Sequence, residues 1–386
     1  MNRLRVLIAP NAFKECLRAT PVATHIAEGV VRVVSNAIVD IAPLADGGDG
    51  TVEALVEATR GEYRHARVCG PRGAPVEARY GVLGDGETVV IEMATASGLA
   101  LLPVDQRDPR HTTTRGTGEL IQLALENGAS KILVGIGGSA TNDGGAGMAQ
   151  ALGFSLRDVD DKELPPGGAA LRRLARIDAS NRHRRLPQVE IVVACDVDNP
   201  LCGERGASRI YGPQKGATPA MVEELDAALA HYATIVQRDL RCDVADQAGA
   251  GAAGGMGAGL MAFAGARIQP GFDIVAAASN LRERIMAADL VITGEGALDG
   301  QSGFGKAPAG VARLARECGV PVVAVAGTLG PGYDCLYREG IAGAYSICPG
   351  PLSLADAIAT APALLANIAE SIVRTFLAGR AGKSEC

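Results

Sequence analysis

The sequence predicts an α/β protein of two domains, in which a discontinuous domain of βαβ units, formed by both termini, carries a second domain as an insertion. Three observations carry this expectation. At 386 residues the chain exceeds the size at which a single core usually divides. At both ends, short continuous apolar runs alternate with helical stretches, the order of βαβ units around a buried parallel sheet. Between them, residues 66–93 read as short strands separated by turn dipeptides, a hairpin meander that interrupts the winding.

Residues 4–9 form the first buried strand, and Thr20 with Pro21 supplies an N-cap and first-turn proline for a helix through about Val34. Residues 37–43 read as the next strand. The pattern returns late, with a strand at 290–293, a helix near 311–318 and a strand at 321–326. The expected discontinuous domain therefore spans 1–70 and 286–386, and the inserted domain with its β-meander spans 71–285, with the active site in a cleft between them. The Pro-Pro-Gly-Gly and arginine-rich stretch around 165–185 reads as a mobile surface excursion.

Composition narrows the function. A formal charge of −6, 3% aromatic residues and no tryptophan argue against a nucleic-acid partner, which needs a basic face or stacking rings. Nine cysteines without a CxxC pair suggest neither a disulfide framework nor a zinc knuckle, so a reducing cytoplasm fits best. The N-terminal apolar stretch is too short for a signal peptide, and no run approaches the roughly 18 apolar residues of a membrane span. The expectation is a cytoplasmic protein with neither a membrane nor a nucleic acid as partner; a homo-oligomer is compatible with it.

The 50 glycines exceed what structure alone usually demands, and several of them flank carboxylates in loops that follow strands. In Ala45-Asp46-Gly47-Gly48-Asp49-Gly50, glycines allow a sharp turn while Asp46 and Asp49 can accept a hydroxyl proton or hold a hydrated cation. The plainer alternative is an Asp-Gly turn with one aspartate as helix cap. An apolar strand from Ile132 runs into Gly137, Gly138, Ser139, Asn142, Asp143, Gly144 and Gly145, the layout of a phosphate-binding loop. Gly135 to Ala140 also matches the weak dinucleotide pattern GxGxxA, but Asp158 and Asp160, about 20 residues on, lie in a polar loop rather than at a strand end.

In Cys195-Asp196-Val197-Asp198-Asn199-Pro200, alternation along a strand from near Val189 would put Asp196 and Asp198 on one face. Paired carboxylates are costly unless a cation or a reaction uses them; Asn199 suits an Asx turn equally well. The stretch from Glu295 through Asp299 to Lys306 offers acids for a metal and a lysine for a phosphate, the roles phosphoryl transfer needs. Gly249 to Gly259 reads equally as close helix packing. Lys14 lies in the first strand-to-helix loop, Arg115 precedes a helix at 119–126 where it could clamp an anion, and His111 reads as structural.

The whole chain resembles the first family of bacterial glycerate kinases, those related to the glycerate 2-kinases of the glyoxylate and glucarate pathways. The resemblance rests on seven ordered motifs: Asn11-Ala-Phe-Lys-Glu, Ala45-Asp-Gly-Gly-Asp-Gly, Thr113-Thr-Arg-Gly-Thr-Gly-Glu, Gly137-Gly-Ser-Ala-Thr-Asn-Asp-Gly-Gly-Ala-Gly, Cys195-Asp-Val-Asp-Asn-Pro, Gly212-Pro-Gln-Lys-Gly-Ala and Thr293-Gly-Glu-Gly. It implies ATP-dependent phosphorylation of D-glycerate with Mg²⁺, on a two-domain α/β fold with a Rossmann-like or flavodoxin-like parallel sheet organisation and one α/β domain inserted in the other. The family usually has serine at Ala12 and arginine at Ala297.

On that basis, one of Asp46, Asp49, Asp196 or Asp198 takes the hydroxyl proton, and Lys14, Arg115 and Asn199 are candidates to hold the substrate. Gly137 to Gly145 cradles phosphates, Lys215 and Lys306 contact them, and Asp143, Glu295 and Asp299 hold the metal. The resemblance favours 2-phosphoglycerate over the 3-isomer. The rivals are a nicotinamide-dependent oxidoreductase of a small hydroxy acid and a non-catalytic metabolite-binding protein.

Overall fold

The structure is a computed structural model describing residues 3–13, 15–45, 47–48, 50–300, 302–303 and 306–381. The chain divides into two compact units, Met1–Asp46 with Phe272–Cys386, and Gly47–Gly271. Strands are numbered along the chain. The first unit holds β1 (Arg5–Pro10), β2 (Ile38–Ile41), β11 (Leu290–Leu298), β12 (Val322–Leu329) and β13 (Ile341–Ser346). The second holds β3 (Glu62–Cys69), β4 (Pro75–Val82), β5 (Thr88–Glu92), β6 (Lys131–Gly135), β7 (Ser155–Arg157), β8 (Arg176–Asp178), β9 (Glu190–Ala194) and β10 (Arg267–Gln269).

In the first unit the sheet runs β13-β12-β11-β1-β2 and every pair is parallel. This is the flavodoxin-like order, with its reversal point between β1 and β11. Continuous apolar runs in β1, β11 and β12 follow from burial on both faces. Val6, Ile8, Leu290, Ile292, Val323 and Val325 pack against the helices Ala19–Val33 and Leu354–Ala381. The latter is long and apolar enough to cross a membrane by length and composition. Its stripe of Ala361, Leu365, Ala369 and Ile372, at helical spacing, instead serves this core. Thr20 does not cap the helix Ala19–Val33: Arg18 occupies the cap position and makes no side-chain bond there.

The second unit has a mixed sheet in the order β10-β9-β6-β5-β4-β3. β3, β4 and β5 are antiparallel neighbours, forming the expected meander, while β5, β6, β9 and β10 pair in parallel. The stretch 165–185, read as a mobile excursion, instead packs inward: Leu171 and Leu174 are buried, and β8 pairs with β7.

Residues 47–70, expected with the first domain, group with the second unit. The helix Thr51–Thr59 packs on β4 and β5. A Cβ on Gly81 of β4 would lie 2.4 Å from Val56 Cγ2, so glycine is what admits that helix. Likewise Phe272 packs in the first unit, its ring against Gly310 of the helix Ala307–Cys318.

Candidate active site

Lys14, Asp46 and Asp49 lie outside the described residues. In the first unit the strand order reverses between β1 and β11, and the carboxyl ends of these strands mark the switch point, the usual ligand position in such sheets. Two bonds fix its base. The amide of buried Asn11 donates to Gly294 O at 2.8 Å, and Thr293 Oγ1 donates to Ala9 O at 2.7 Å.

Glu295 belongs to β11 rather than to a loop, because Ala297 and Leu298 continue in register with Thr328 and Leu329 of β12. Its buried carboxylate accepts a hydrogen bond from Ser302 Oγ at 2.8 Å, and the same hydroxyl oxygen accepts from the amide of Asp299 at 3.2 Å. Ser302, passed over in the sequence, thus ties Glu295 to Asp299. Lys306 occupies the cap position of the helix Ala307–Cys318, whose first turn contains Pro308. The lysine therefore stands where the helix presents unpaired amides.

In the second unit the glycine-flanked loop presses backbone to backbone on the parallel strand ends. A Cβ on Gly47, at φ +86°, would lie 2.9 Å from Ala194 O, and one on Gly137 would lie 2.8 Å from Gly48 Cα. Gly50 holds the cap position of the helix Thr51–Thr59, and the Val52 amide donates to Glu92 Oε1 at 2.8 Å. Buried Glu92, at the end of β5, has no motif to mark it in the sequence.

The loop from Gly137 to Gly145 is built differently from a phosphate cradle. Asp143 accepts from the amides of Thr114 (2.8 Å), Gly145 (3.2 Å) and Gly147 (3.3 Å), and from Thr114 Oγ1 (2.9 Å). Its carboxylate thus occupies the anion position at the short helix Ala146–Ala151, and its oxygens are committed to protein donors rather than a metal. Gly144 and Gly145 admit neighbours instead of a ligand: their Cβ atoms would lie 2.9 Å from Tyr232 Cε1 and 3.0 Å from Gly259 Cα. The helix begins well beyond Gly135 to Ala140, so the dinucleotide pattern lacks its tight strand-to-helix turn.

Lys215 is 1% exposed, and its ammonium donates to Ser139 Oγ (2.8 Å) and Thr141 O (2.7 Å). It is a buried brace of this loop rather than an open phosphate contact. Burial pushes its pKa down to about 7, against the opposing pull of Asp143. Burial likewise pushes Asp143 up, while its four donors favour the charged form. Asn142 Nδ2 donates to Ser208 Oγ at 3.0 Å, whereas the buried Asn142 Oδ1 and Thr141 Oγ1 have no hydrogen-bond partner among the described residues.

β9 ends at Ala194, so Asp196 and Asp198 lie beyond it and strand alternation does not pair them. Asp196 Oδ1 accepts from the Gly271 amide at 2.8 Å, while exposed Asp198 pairs with Arg205 at 2.7 Å. Asn199 braces the same loop, donating to Arg205 O and accepting from the Tyr211 hydroxyl at 2.6 Å; both ends of its amide are used. Arg115 is half-exposed and paired with Glu119 at 3.1 Å, one turn along its own helix. His111 is exposed near Asp108.

Among the described residues, no three or more His, Cys, Asp or Glu side chains are grouped to hold a metal. Mg²⁺ usually takes only one or two protein carboxylates besides phosphate oxygens and waters. Glu295 and Asp299 are hard oxygen donors of the kind that demand calls for, although Ser302 links the Glu295 carboxylate to the main-chain amide of Asp299 and not to its carboxylate; Asp143 does not fit, because four protein donors hold its carboxylate.

A doubly wound sheet with acids, a lysine and a helix N-terminus at its reversal point has the equipment of a nucleotide-dependent phosphotransferase. The chain belongs to the glycerate kinase family, whose profile matches residues 6–377. It is 50% identical over 376 residues to the glycerate 2-kinase of Escherichia coli (strain K12), covering 97% of this chain and 99% of that one. A glycerate kinase of Halalkalibacterium halodurans is 50% identical over 367 residues, with 95% and 97% covered. The solved structure of a protein assigned as glycerate kinase 2 from Salmonella typhimurium LT2 is 48% identical, superposes with a TM-score of 0.88 and covers 98% of this chain and 100% of its own.

Proposed function

We propose that this chain transfers the γ-phosphoryl group of ATP to the 2-hydroxyl of D-glycerate, releasing ADP and 2-phospho-D-glycerate. The observation that carries the reading is the family match over residues 6–377; it is supported by Glu295 in β11, with Asp299 and the helix-cap residue Lys306 following on the same chain.

The hydroxyl oxygen attacks the γ-phosphorus as the bond to the β,γ-bridging oxygen breaks, and the hydroxyl proton passes to a carboxylate. Asp46 and Asp49 are the preferred acceptors, because Asp198 is engaged by Arg205 and Asp196 by the Gly271 amide. Lys306 and the first-turn amides of the helix Ala307–Cys318 take up phosphate charge, and Lys14 holds the substrate carboxylate. Mg²⁺, held by Glu295 and Asp299, would neutralise charge on the transferring phosphate. The proposal includes a cytoplasmic setting, in keeping with eight free thiols among the described residues.

A coupled assay for ADP release, run with each component omitted in turn, tests the reading, and phosphorus NMR identifies the product. Turnover should require ATP, D-glycerate and Mg²⁺ together. ADP release indifferent to D-glycerate would remove the kinase assignment, and a 3-phospho product would move the site of transfer. Asp46→Asn, Asp49→Asn and Asp196→Asn, made singly, should include at least one loss of about 10²- to 10⁴-fold in kcat. Near-normal turnover in all three sinks the carboxylate base.

A further inference from the structure

The reaction proposed above leaves unused a lysine of the second unit that is only 1% exposed. Lys215 donates to Ser139 Oγ at 2.8 Å and to Thr141 O at 2.7 Å, both neutral acceptors. An apolar side chain of similar volume would brace this loop without the cost of desolvating an ammonium. The same stretch leaves the buried Thr141 Oγ1 and Asn142 Oδ1 unpaired among the described residues, so it is not built for stability alone.

The ammonium sets the direction of its neighbour. A hydroxyl has one proton to give, and the Ser139 oxygen already accepts from Lys215, so that proton is turned away from the lysine. Ser139 keeps 7% exposure and follows the exposed Gly138; the residue opens on the surface while the ammonium stays beneath it. Ser139 lies beyond β6 and bridges to Gly98, in the segment that follows β5, so this surface is the carboxyl end of the second unit's parallel strands, where ligands gather. Gly137 packs against Gly48 at the same end, which is where the glycine-flanked loop is seated. The local charge chooses between the two anionic reactants. Asp143 attracts the Lys215 ammonium, and the pair together brings little net charge. A triphosphate needs cations, and the one assigned to it, Lys306, stands in the first unit. A carboxylate carries a single negative charge, which a hydroxyl polarised by a buried ammonium can meet.

We propose that Ser139 donates its hydroxyl to the carboxylate of D-glycerate, with Lys215 as the positioning residue that directs this bond. The contact rests on the kinase reading and adds a substrate-binding group to it; a carboxylate has about four acceptor positions, so the bond leaves room for the charge of Lys14. Steady-state kinetics of full-length variants tests it. Ser139→Ala should raise KM for D-glycerate at least about tenfold, with KM for ATP within about twofold of the wild type. Lys215→Met should do the same, and adding Ser139→Ala to it should change KM by less than about twofold, because the hydroxyl has already lost its direction. Ser139→Cys, similar in shape and a weaker donor, should raise the same KM at least about threefold, so the test survives an alanine variant that fails to fold. Near-wild-type KM for D-glycerate in the serine variants, or equal rises in both KM values, overturns the contact and leaves the kinase reading intact. Multiplicative effects of the two substitutions would make Lys215 a structural brace and remove its positioning role. A wild-type protein that releases no ADP from ATP and D-glycerate sinks the kinase reading and the contact together.

Discussion

Lys215 is buried in the second unit, where its ammonium donates to the neutral acceptors Ser139 Oγ and Thr141 O, and this has a consequence in pH. Its folded pKa is depressed to about 7, from an unfolded value near 10.5. Between those values the unfolded chain binds a proton that the folded chain does not, so stability rises with pH, by about 1.4 kcal/mol per unit. The gain is complete above about 10.5 and absent below about 7. Urea midpoints of the wild type and Lys215→Met, compared from pH 7 to 10, should show the rise reduced in the variant; equal slopes would contradict the assignment. Asp143→Asn should cost about 3 kcal/mol of stability, because a charge-assisted acceptor of four donors is lost. A metal ligand would instead lose Mg²⁺ dependence at near-normal stability. The sequence marks both residues as polar groups among glycines, which is why Lys215 reads as a phosphate contact and Asp143 as a metal ligand. Where a side chain ends depends on partners far along the chain, Thr114 and Ser139 among them. Glu92 and Ser302 escape notice for the same reason: no local pattern announces a carboxylate or hydroxyl whose partner is set by the fold.

Strands and helices were more legible than their limits, since apolar runs of β1, β11 and β12 report burial on both faces while their ends depend on neighbours. β11 continues to Leu298 because β12 continues beside it to Leu329, a pairing between segments that no local signal encodes. The helix Thr51–Thr59 looks like the next turn of the first winding, and only its packing on β4 and β5 assigns it to the second unit. Glycine-rich elements permit a sharper test. In the helix Ala252–Ala264, residues Ala253 to Gly255 depart from helical geometry, and Gly254 is at φ +71°, where a Cβ would lie 1.9 Å from Thr141 O. Gly265, which caps that helix at φ +61°, has nothing within 4 Å of its Cβ position. Gly265→Ala should therefore cost only the left-handed backbone, about 1 kcal/mol, whereas Gly254→Ala adds a clash with backbone that cannot rotate away and should cost more than about 3 kcal/mol. Equal losses by urea denaturation would show that backbone strain alone, not close approach, dictates these glycines.

For the molecule as a whole, the order of the units along the chain has a physical explanation in the second unit itself. Its first residue, Gly47, packs on Ala194 at the end of β9, and its last, Gly271, donates its amide to Asp196 just beyond the same strand. Entry and exit thus converge on one end of one strand, the arrangement in which insertion of a domain disturbs the host least. The unit also closes its own sheet and a core that includes Ile91, Ile121, Val134, Val193 and Tyr232, none of which draws on residues outside 47–271. Expressed alone, residues 47–271 should therefore fold and give a single sharp urea transition, with no ADP release from ATP and D-glycerate because Glu295, Asp299 and Lys306 are missing. A broad, non-cooperative transition would mean that this core is insufficient and that the insertion needs its host to fold. Retained turnover would count against the roles given to the first unit's switch-point residues, since the fragment would then perform the reaction without them.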